Sequence, residues 1–272
     1  MKRSDRLVGM TQYILDHPME LISLPFFSER YQAAKSSISE DLAIMNIMFK
    51  QEGIGYLESI SGAAGGIRYV PRYQHSESQQ FVEALAQRLE DPNRILPGGY
   101  LFMSDILGEP ATVKKIGQIF ATAFATLGIE AVVTVATKGI PLAYAVAQYL
   151  NVPVVIVRRD PKVTEGSTVS INYVSGSSRK IQTMVLTKRS LQRGATVCII
   201  DDFMKAGGTI DGIRNLLDEF DAKVAAIGVL AEAEDEEDER IVTDYTSLLQ
   251  ISNVDVRNQQ IEVTKGTYFN KK

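Results

Sequence analysis

The chain has 272 residues, 45% of them hydrophobic, with 29 basic and 33 acidic side chains and a formal net charge of −4, which suits a soluble globular protein of one or two domains. Its longest apolar runs, such as 152–157, fall far short of the ~18 residues of a membrane span, and no charged segment leads into an apolar one at the N-terminus, so a cytoplasmic protein without a membrane partner is expected. The single cysteine, Cys198, excludes an intramolecular disulfide, and the two histidines, His17 and His75, assemble neither a zinc site nor a histidine-dependent triad.

Ser4 is placed to cap a first helix whose apolar positions Leu7, Met10 and Ile14 recur at helical spacing, and Pro18 stops it after His17. A second helix begins near Pro25, with Phe26, Phe27 and Tyr31 on its packing face. After a short turn at residues 33–35, Ser37 and Glu40 form a capping box, and Ile38, Leu42, Met45 and Phe49 line one side of a third helix. Two short helices joined by a tight turn make a helix-turn-helix, although plain helical hairpins share the pattern. Residues 53–60 and 67–71 then read as strands around a Gly-rich tip, a β-hairpin.

Helix-turn-helix plus hairpin resembles a winged helix. In that family the last helix enters the major groove, which makes Lys35, Ser36, Ser37 and Ser39 candidate DNA contacts, with Arg68 on the wing and the cluster Lys2, Arg3 and Arg6 at the N-terminus. Residues 1–72 nonetheless carry eight basic and eight acidic side chains, so any DNA-facing surface must be a local basic face.

Residues 73–80 look like a polar linker, which sets domains at 1–73 and 74–272, and a helix follows over 81–89. Strand and helix then alternate: strands at 100–103, 131–135, 152–157, 196–200 and 224–230, helices at 110–127, 141–150 and 209–220. This is the pattern of a mainly parallel, twisted sheet covered on both faces, an α/β fold. Residues 163–187 form a long excursion, read as a hairpin that serves as a hood. From 158 to 193 there are eight basic residues against two acidic ones, which implies a polyanionic partner, whether a ligand's pyrophosphate or DNA. The acidic run 232–239 reads as solvated and is assigned no chemistry, and 247–268 as edge strands.

Two loops carry the chemistry. In the first, a buried strand ends in Asp201-Asp202 and leads through Phe203-Met204-Lys205-Ala206 to Gly207-Gly208-Thr209, where a helix opens. Adjacent carboxylates at a strand's carboxyl end suit ribose hydroxyls or a magnesium ion, and glycines at a helix N-terminus suit a phosphate. The second, Ala136-Thr137-Lys138-Gly139, also joins a strand to a helix, with Pro141 in the first turn. Each loop could also be an ordinary packed connection.

The first loop resembles the 5-phosphoribosyl-1-pyrophosphate (PRPP) signature of the type I phosphoribosyltransferases. That likeness implies that Asp201 and Asp202 contact the ribose hydroxyls, that residues 206–209 cradle the 5′-phosphate, and that Thr137, Lys138 and Gly139 hold the pyrophosphate. Lys205 and Ala206 stand where the enzymes usually have small hydroxyl residues. A closer likeness covers nearly the whole chain. Ala34-Lys35-Ser36-Ser37-Ile38-Ser39-Glu40-Asp41, Leu96-Pro97-Gly98-Gly99-Tyr100, residues 135–140, residues 164–178 and residues 201–209 all resemble the purine operon repressors of Gram-positive bacteria, with which Phe203, Met204 and Lys205 agree.

The resemblance implies a non-enzymatic homodimer that regulates purine genes. It would bind operator DNA through winged helices and release it when PRPP binds, with or without magnesium, at residues 201–209, Ala136, Thr137, Lys138, Gly139 and Tyr100. Guanosine tetraphosphate (ppGpp) would compete for the same pocket. The other reading is a purine phosphoribosyltransferase with an appended DNA-binding module.

Overall fold

A computed structural model of the chain describes residues 1–62, 65–97, 100–160, 166–174, 181–234 and 240–270. Helix α1 (Arg3–Asp16) opens at Lys2, and Ser4 does not cap it; the Ser4 hydroxyl turns to Asp5 at 3.1 Å. Its first turn is held instead by Arg3 and Arg6, which reach across to Asp41 on α3 (Lys35–Gln51). The helix stops before Pro18, where the His17 ring nitrogen Nδ1 lies 2.7 Å from the Tyr13 carbonyl.

A two-residue strand that sequence patterning does not suggest, β1 (Leu21–Ile22), pairs with the hairpin β2 (Gly55–Ile60) and β3 (Gly66–Pro71), giving the order β1-β3-β2. Between them α2 (Leu24–Tyr31) is capped by Ser23, with Pro25 in its first turn. The capping box expected at Ser37 and Glu40 is absent because α3 starts earlier, at Lys35, and Ser37 falls inside the first turn. Met10, Phe27, Ile38, Met45 and Tyr69 close the core beneath these elements, a winged helix-turn-helix.

Residues 73–80 are not a linker. Helix α4 (His75–Leu89) starts at His75, with Ser78 buried and its hydroxyl bonded to the His75 carbonyl at 2.7 Å. The chain just before it is tied to α6 (Pro110–Phe124): the Tyr73 N–H donates to Thr122 Oγ1 at 2.8 Å, and Gln118 Nε2 donates to the Arg72 carbonyl at 3.1 Å. The strand expected at 100–103 is also different. β4 (Ile95–Leu96) and β5 (Tyr100–Leu101) form a separate antiparallel ribbon, followed by α5 (Ser104–Leu107).

The main sheet comprises β6 (Ala131–Val135), β7 (Val154–Val157), β10 (Thr196–Met204), β11 (Lys223–Ala233), β12 (Thr246–Asp255) and β13 (Gln260–Lys265), in the order β13-β12-β11-β10-β6-β7. All neighbours are parallel except β12 and β13, and the order makes β12 an inner strand, so of the two C-terminal strands β13 alone lies at an edge. Alternation along β10 explains why both faces are covered: Cys198 and Ile200 enter one core, Val197 and Ile199 the other. The first core is closed by α4, α6 and α7 (Ile140–Leu150), the second by α8 (Gly208–Asp218) and the hood, β8 (Thr168–Val174) and β9 (Ile181–Thr187). Arg158 and Val185 exchange backbone hydrogen bonds that fasten the hood to the end of β7. Parts of the hairpin, with Lys162, Arg179 and Lys180, lie outside the described residues. No described helix is long and apolar enough to cross a membrane.

Candidate functional site

β6 and β10 are neighbours in the sheet, yet α7 leaves β6 toward one face and α8 leaves β10 toward the other. Their loops therefore leave the sheet's carboxyl edge toward opposite faces, a topological switch point of the kind at which open α/β sheets take ligands in a crevice. Both loops singled out from the sequence lie there.

β10 runs straight through the acid pair and ends at Met204. Asp201 faces inward and is buried, and its Oδ1 accepts the Asp202 N–H at 2.9 Å. Burial, and the second carboxylate beside it, hold Asp201 well above the usual carboxylate range, with Arg159 a weaker opposing influence. Burial also raises Asp202, against the pull of its hydrogen bond with Asp201 and of the Lys138 charge. With Asp201 buried, Asp202 half-buried and no cation in direct contact among the described residues, the pair is costly to ionise, and a ligand offering hydroxyls or a cation relieves that cost.

Beyond Met204, Lys205 is exposed and Gly207 takes φ +86°, a left-handed conformation at the cap of α8. The following amides, from Gly208 and Thr209 onward, are the unpaired donors of a helix start, and no side chain caps them. Donors of this kind can face an anion, and they stand one short loop beyond the acid pair. Phe203 is partly buried against the α6 face and Met204 is buried on the other, so both support the loop from below.

The second loop comes to the same place. A Cβ built on Gly139 would lie 3.0 Å from Asp201 Oδ1 and 2.3 Å from Thr134 Oγ1, so only glycine lets the loop settle against the acid. Ala136 is anchored by its N–H on the Val157 carbonyl at 2.9 Å, the Ala136–Thr137 peptide is cis, and Thr137 and Lys138 are exposed at the rim. Thr134, inside β6, was not singled out by sequence reasoning, since it reads as one polar residue in an apolar strand; its buried hydroxyl meets no hydrogen-bond partner among the described residues. Tyr100 is exposed, and its ribbon does not join the sheet that carries the loops. The hood reaches the site from above: Tyr173 packs on Gly212 of α8, where an added Cβ would lie 2.9 Å from its ring. Among the described residues no group of three or more His, Cys, Asp and Glu side chains gathers as a metal site.

The candidate DNA contacts divide by exposure. Lys2, Lys35, Ser36 and Ser39 are exposed, with Lys35 opening α3 and the Ser39 hydroxyl turned back to its carbonyl at 3.0 Å; Ser37 is half-buried. Arg6 is different. Its side chain is buried and its Nε donates to Asp41 Oδ2 at 2.5 Å, which commits it to the fold and takes it out of the set of groups that could face a phosphate. Arg3, half-exposed, binds the other oxygen of Asp41 at 2.9 Å, and Arg68 is paired across the hairpin with Glu58, its register partner, at 2.5 Å.

Comparison with known proteins gives matches along the chain. The family model "Bacterial purine repressor, N-terminal" matches residues 2–71, and "Phosphoribosyl transferase domain" matches 103–264. The purine biosynthesis transcriptional repressor PurR of Bacillus subtilis (strain 168) is 61% identical over 98% of this chain and 94% of its own length. The purine biosynthesis transcriptional activator PurR of Lactococcus lactis subsp. lactis (strain IL1403) is 46% identical, with both chains covered completely. Among solved structures, an adenine phosphoribosyltransferase from Thermoanaerobacter pseudethanolicus superposes with a TM-score of 0.54 at 21% identity, covering 62% of this chain and 99% of that one, a likeness of fold.

Proposed function

The chain belongs to the purine biosynthesis transcriptional regulators, and from that premise we propose that PRPP, bound between the loops after β6 and β10, makes its winged helix release operator DNA. The observation that carries this reading is the meeting of the two loops at Asp201, with Gly139 packed against the carboxylate. One end of the crevice offers carboxylates for ribose hydroxyls, and the other offers helix-start amides for the 5′-phosphate. The loop at Thr137, Lys138 and Gly139 takes the pyrophosphate, and any magnesium arrives on that pyrophosphate rather than in a resident site. ppGpp, another molecule with phosphates on both sides of a ribose, competes there and favours the DNA-bound state.

The ligand is bound and not consumed. A transferase must recognise a nucleobase beside the ribose and stabilise the departing pyrophosphate in a closed, dry site. Lys205 and Ala206 replace residues the enzymes use, and close relatives are named as regulators. An intact ligand acts as a reversible switch through its differential affinity for two states. A physical route exists for it: α7 starts at the pyrophosphate loop and ends near Tyr149, whose hydroxyl lies 3.5 Å from Gln118, the residue that also holds Arg72 at the base of the winged helix. A homodimer places two such winged helices on one duplex.

The test is a titration of purine-operator DNA with and without PRPP. Affinity should fall as PRPP is added, with ppGpp opposing the fall, and incubation of the protein with PRPP, magnesium and each purine base should yield no nucleotide. DNA affinity indifferent to PRPP would sink the effector reading, and turnover with any base would move the phosphoribosyltransferase reading into first place.

A further inference from the structure

The acidic run that looks solvated in the sequence begins with a residue that is not. Glu232 is buried, two per cent exposed, and sits on β11 directly beside Met204, the last residue of β10 before the phosphate loop. One of its oxygens accepts the Ser247 hydroxyl at 2.5 Å, and the other accepts the Tyr245 hydroxyl and the Arg240 guanidinium, the latter at 2.5 Å. Arg240 also donates, from its other terminal nitrogen, to the Ala233 carbonyl, so both arms of one guanidinium hold the end of β11. A buried carboxylate demands such partners, so the position of Arg240 is dictated by Glu232.

The two residues after Arg240 are the ones that touch the phosphate loop. The Ile241 N–H donates to the Ala206 carbonyl at 2.9 Å. Val242, fully buried, lies under Gly207, its side chain 3.2 Å from where a Cβ on that glycine would stand. The backbone of the cradle thus rests on a segment whose own place is set one strand away.

We propose that Glu232, acting through Arg240 and the residue 241–242 segment, is a positioning residue for the phosphate loop at 206–209, and so for recognition of the sugar 5′-phosphate. This rests on the effector reading given above. The loop amides must point at one spot to bind a phosphate well, and an unsupported Gly-rich turn would sample many directions. Among the described residues no hydrogen bond of this network reaches the loop after β6, which is anchored on β7 instead.

The experiment uses the full chain and two variants. Val242→Ala thins the support under Gly207 without disturbing a buried charge, and Arg240→Lys keeps the charge but loses the second arm to Ala233. PRPP affinity is measured by calorimetry, and inorganic pyrophosphate and ribose 5-phosphate are then used as competitors. Both variants should bind PRPP roughly tenfold more weakly, the scale of one hydrogen bond to a charged group, with DNA affinity in the absence of PRPP unchanged. The decisive readout is the competitor ratio: ribose 5-phosphate should lose potency while pyrophosphate keeps it. Wild-type PRPP affinity in both variants, or equal loss for both competitors, overturns the positioning role while leaving the effector reading intact. If the wild-type chain itself fails to bind PRPP, the effector reading falls and takes this inference with it.

Discussion

Asp41 in the winged helix and Asp201 in the effector domain are both buried aspartates, and their surroundings differ in kind. Each oxygen of Asp41 receives a guanidinium, Arg6 at 2.5 Å and Arg3 at 2.9 Å, so the charge is answered from within the same domain. Asp201 has a backbone N–H and a second carboxylate beside it and, among the described residues, no basic group in hydrogen-bonding contact, and burial pushes its protonation upward. Fully answered charge holds a domain together; charge left short of partners is held for something that arrives.

The largest effect should come from breaking the answered pair. Asp41→Ala leaves Arg6 buried without its partner, a change that costs about 3–5 kcal/mol. Chemical denaturation should show the winged helix melting first and operator binding lost, whereas PRPP binding measured by calorimetry persists. If operator binding survives in Asp41→Ala, the pair is decoration.

Asp201→Asn tests the other side. Removing a ribose contact costs on the order of 1–3 kcal/mol, so PRPP should be weakened ~5- to 150-fold with DNA binding intact. Stability should move the opposite way, with a definite pH dependence. Because the folded-state pKa of Asp201 is raised, its contribution is fully present below the ordinary carboxylate range near ~4 and is lost as pH rises through the raised value. The variant escapes that loss. Its melting temperature should match the wild type at acid pH and exceed it increasingly toward pH 8; a constant difference at every pH would contradict an uncompensated carboxylate.

Exposed and paired cations on the DNA-facing side allow a smaller contrast. Lys35→Ala should weaken operator and unrelated DNA alike and reduce the salt dependence by about one unit of slope. Arg68→Ala should do less, because its charge is already matched by Glu58. Equal slopes in the two variants would show that the Glu58 pair opens on DNA. The smallest effect is Ser37→Ala. As a cap it would cost ~1 kcal/mol, but inside the first turn of α3 a change within about 0.5 kcal/mol is expected in thermal melts.

Much of this is legible in the sequence. Continuous apolar runs at 197–200 and 131–135 read as buried strands, as β10 and β6 are, and the paired acids, glycines and helix start marked one loop of the crevice. What escaped reading was decided at long range. Glu232 belongs to a run of carboxylates, and its place is set by Ser247, Tyr245 and Arg240, which come from elsewhere to meet it. Arg6 looked like one more basic residue near the N-terminus until Asp41, far along the chain, claimed it. The polar start of α4 read as a linker because its anchors, Thr122 and Gln118, lie on another helix. β1 is too short to carry a pattern, and its pairing with β3 alone makes it a strand.

Cys198 lies near the start of the inner strand β10 with no solvent exposure, and burial pushes its thiol up to about 12. A thiol so placed is silent toward alkylating and disulfide reagents while the sheet is closed, so its modification counts openings of the domain. The chain therefore carries its own clock for global unfolding, in which the labelling rate under slow-reagent conditions is the opening equilibrium multiplied by the rate of a free thiol. Any molecule that binds only the closed state slows that clock by one plus its concentration over its dissociation constant, about a hundredfold at a hundred times that constant. A single unmodified cysteine thus converts effector affinity into a reaction time, without a dye, a DNA probe or an enzymatic product.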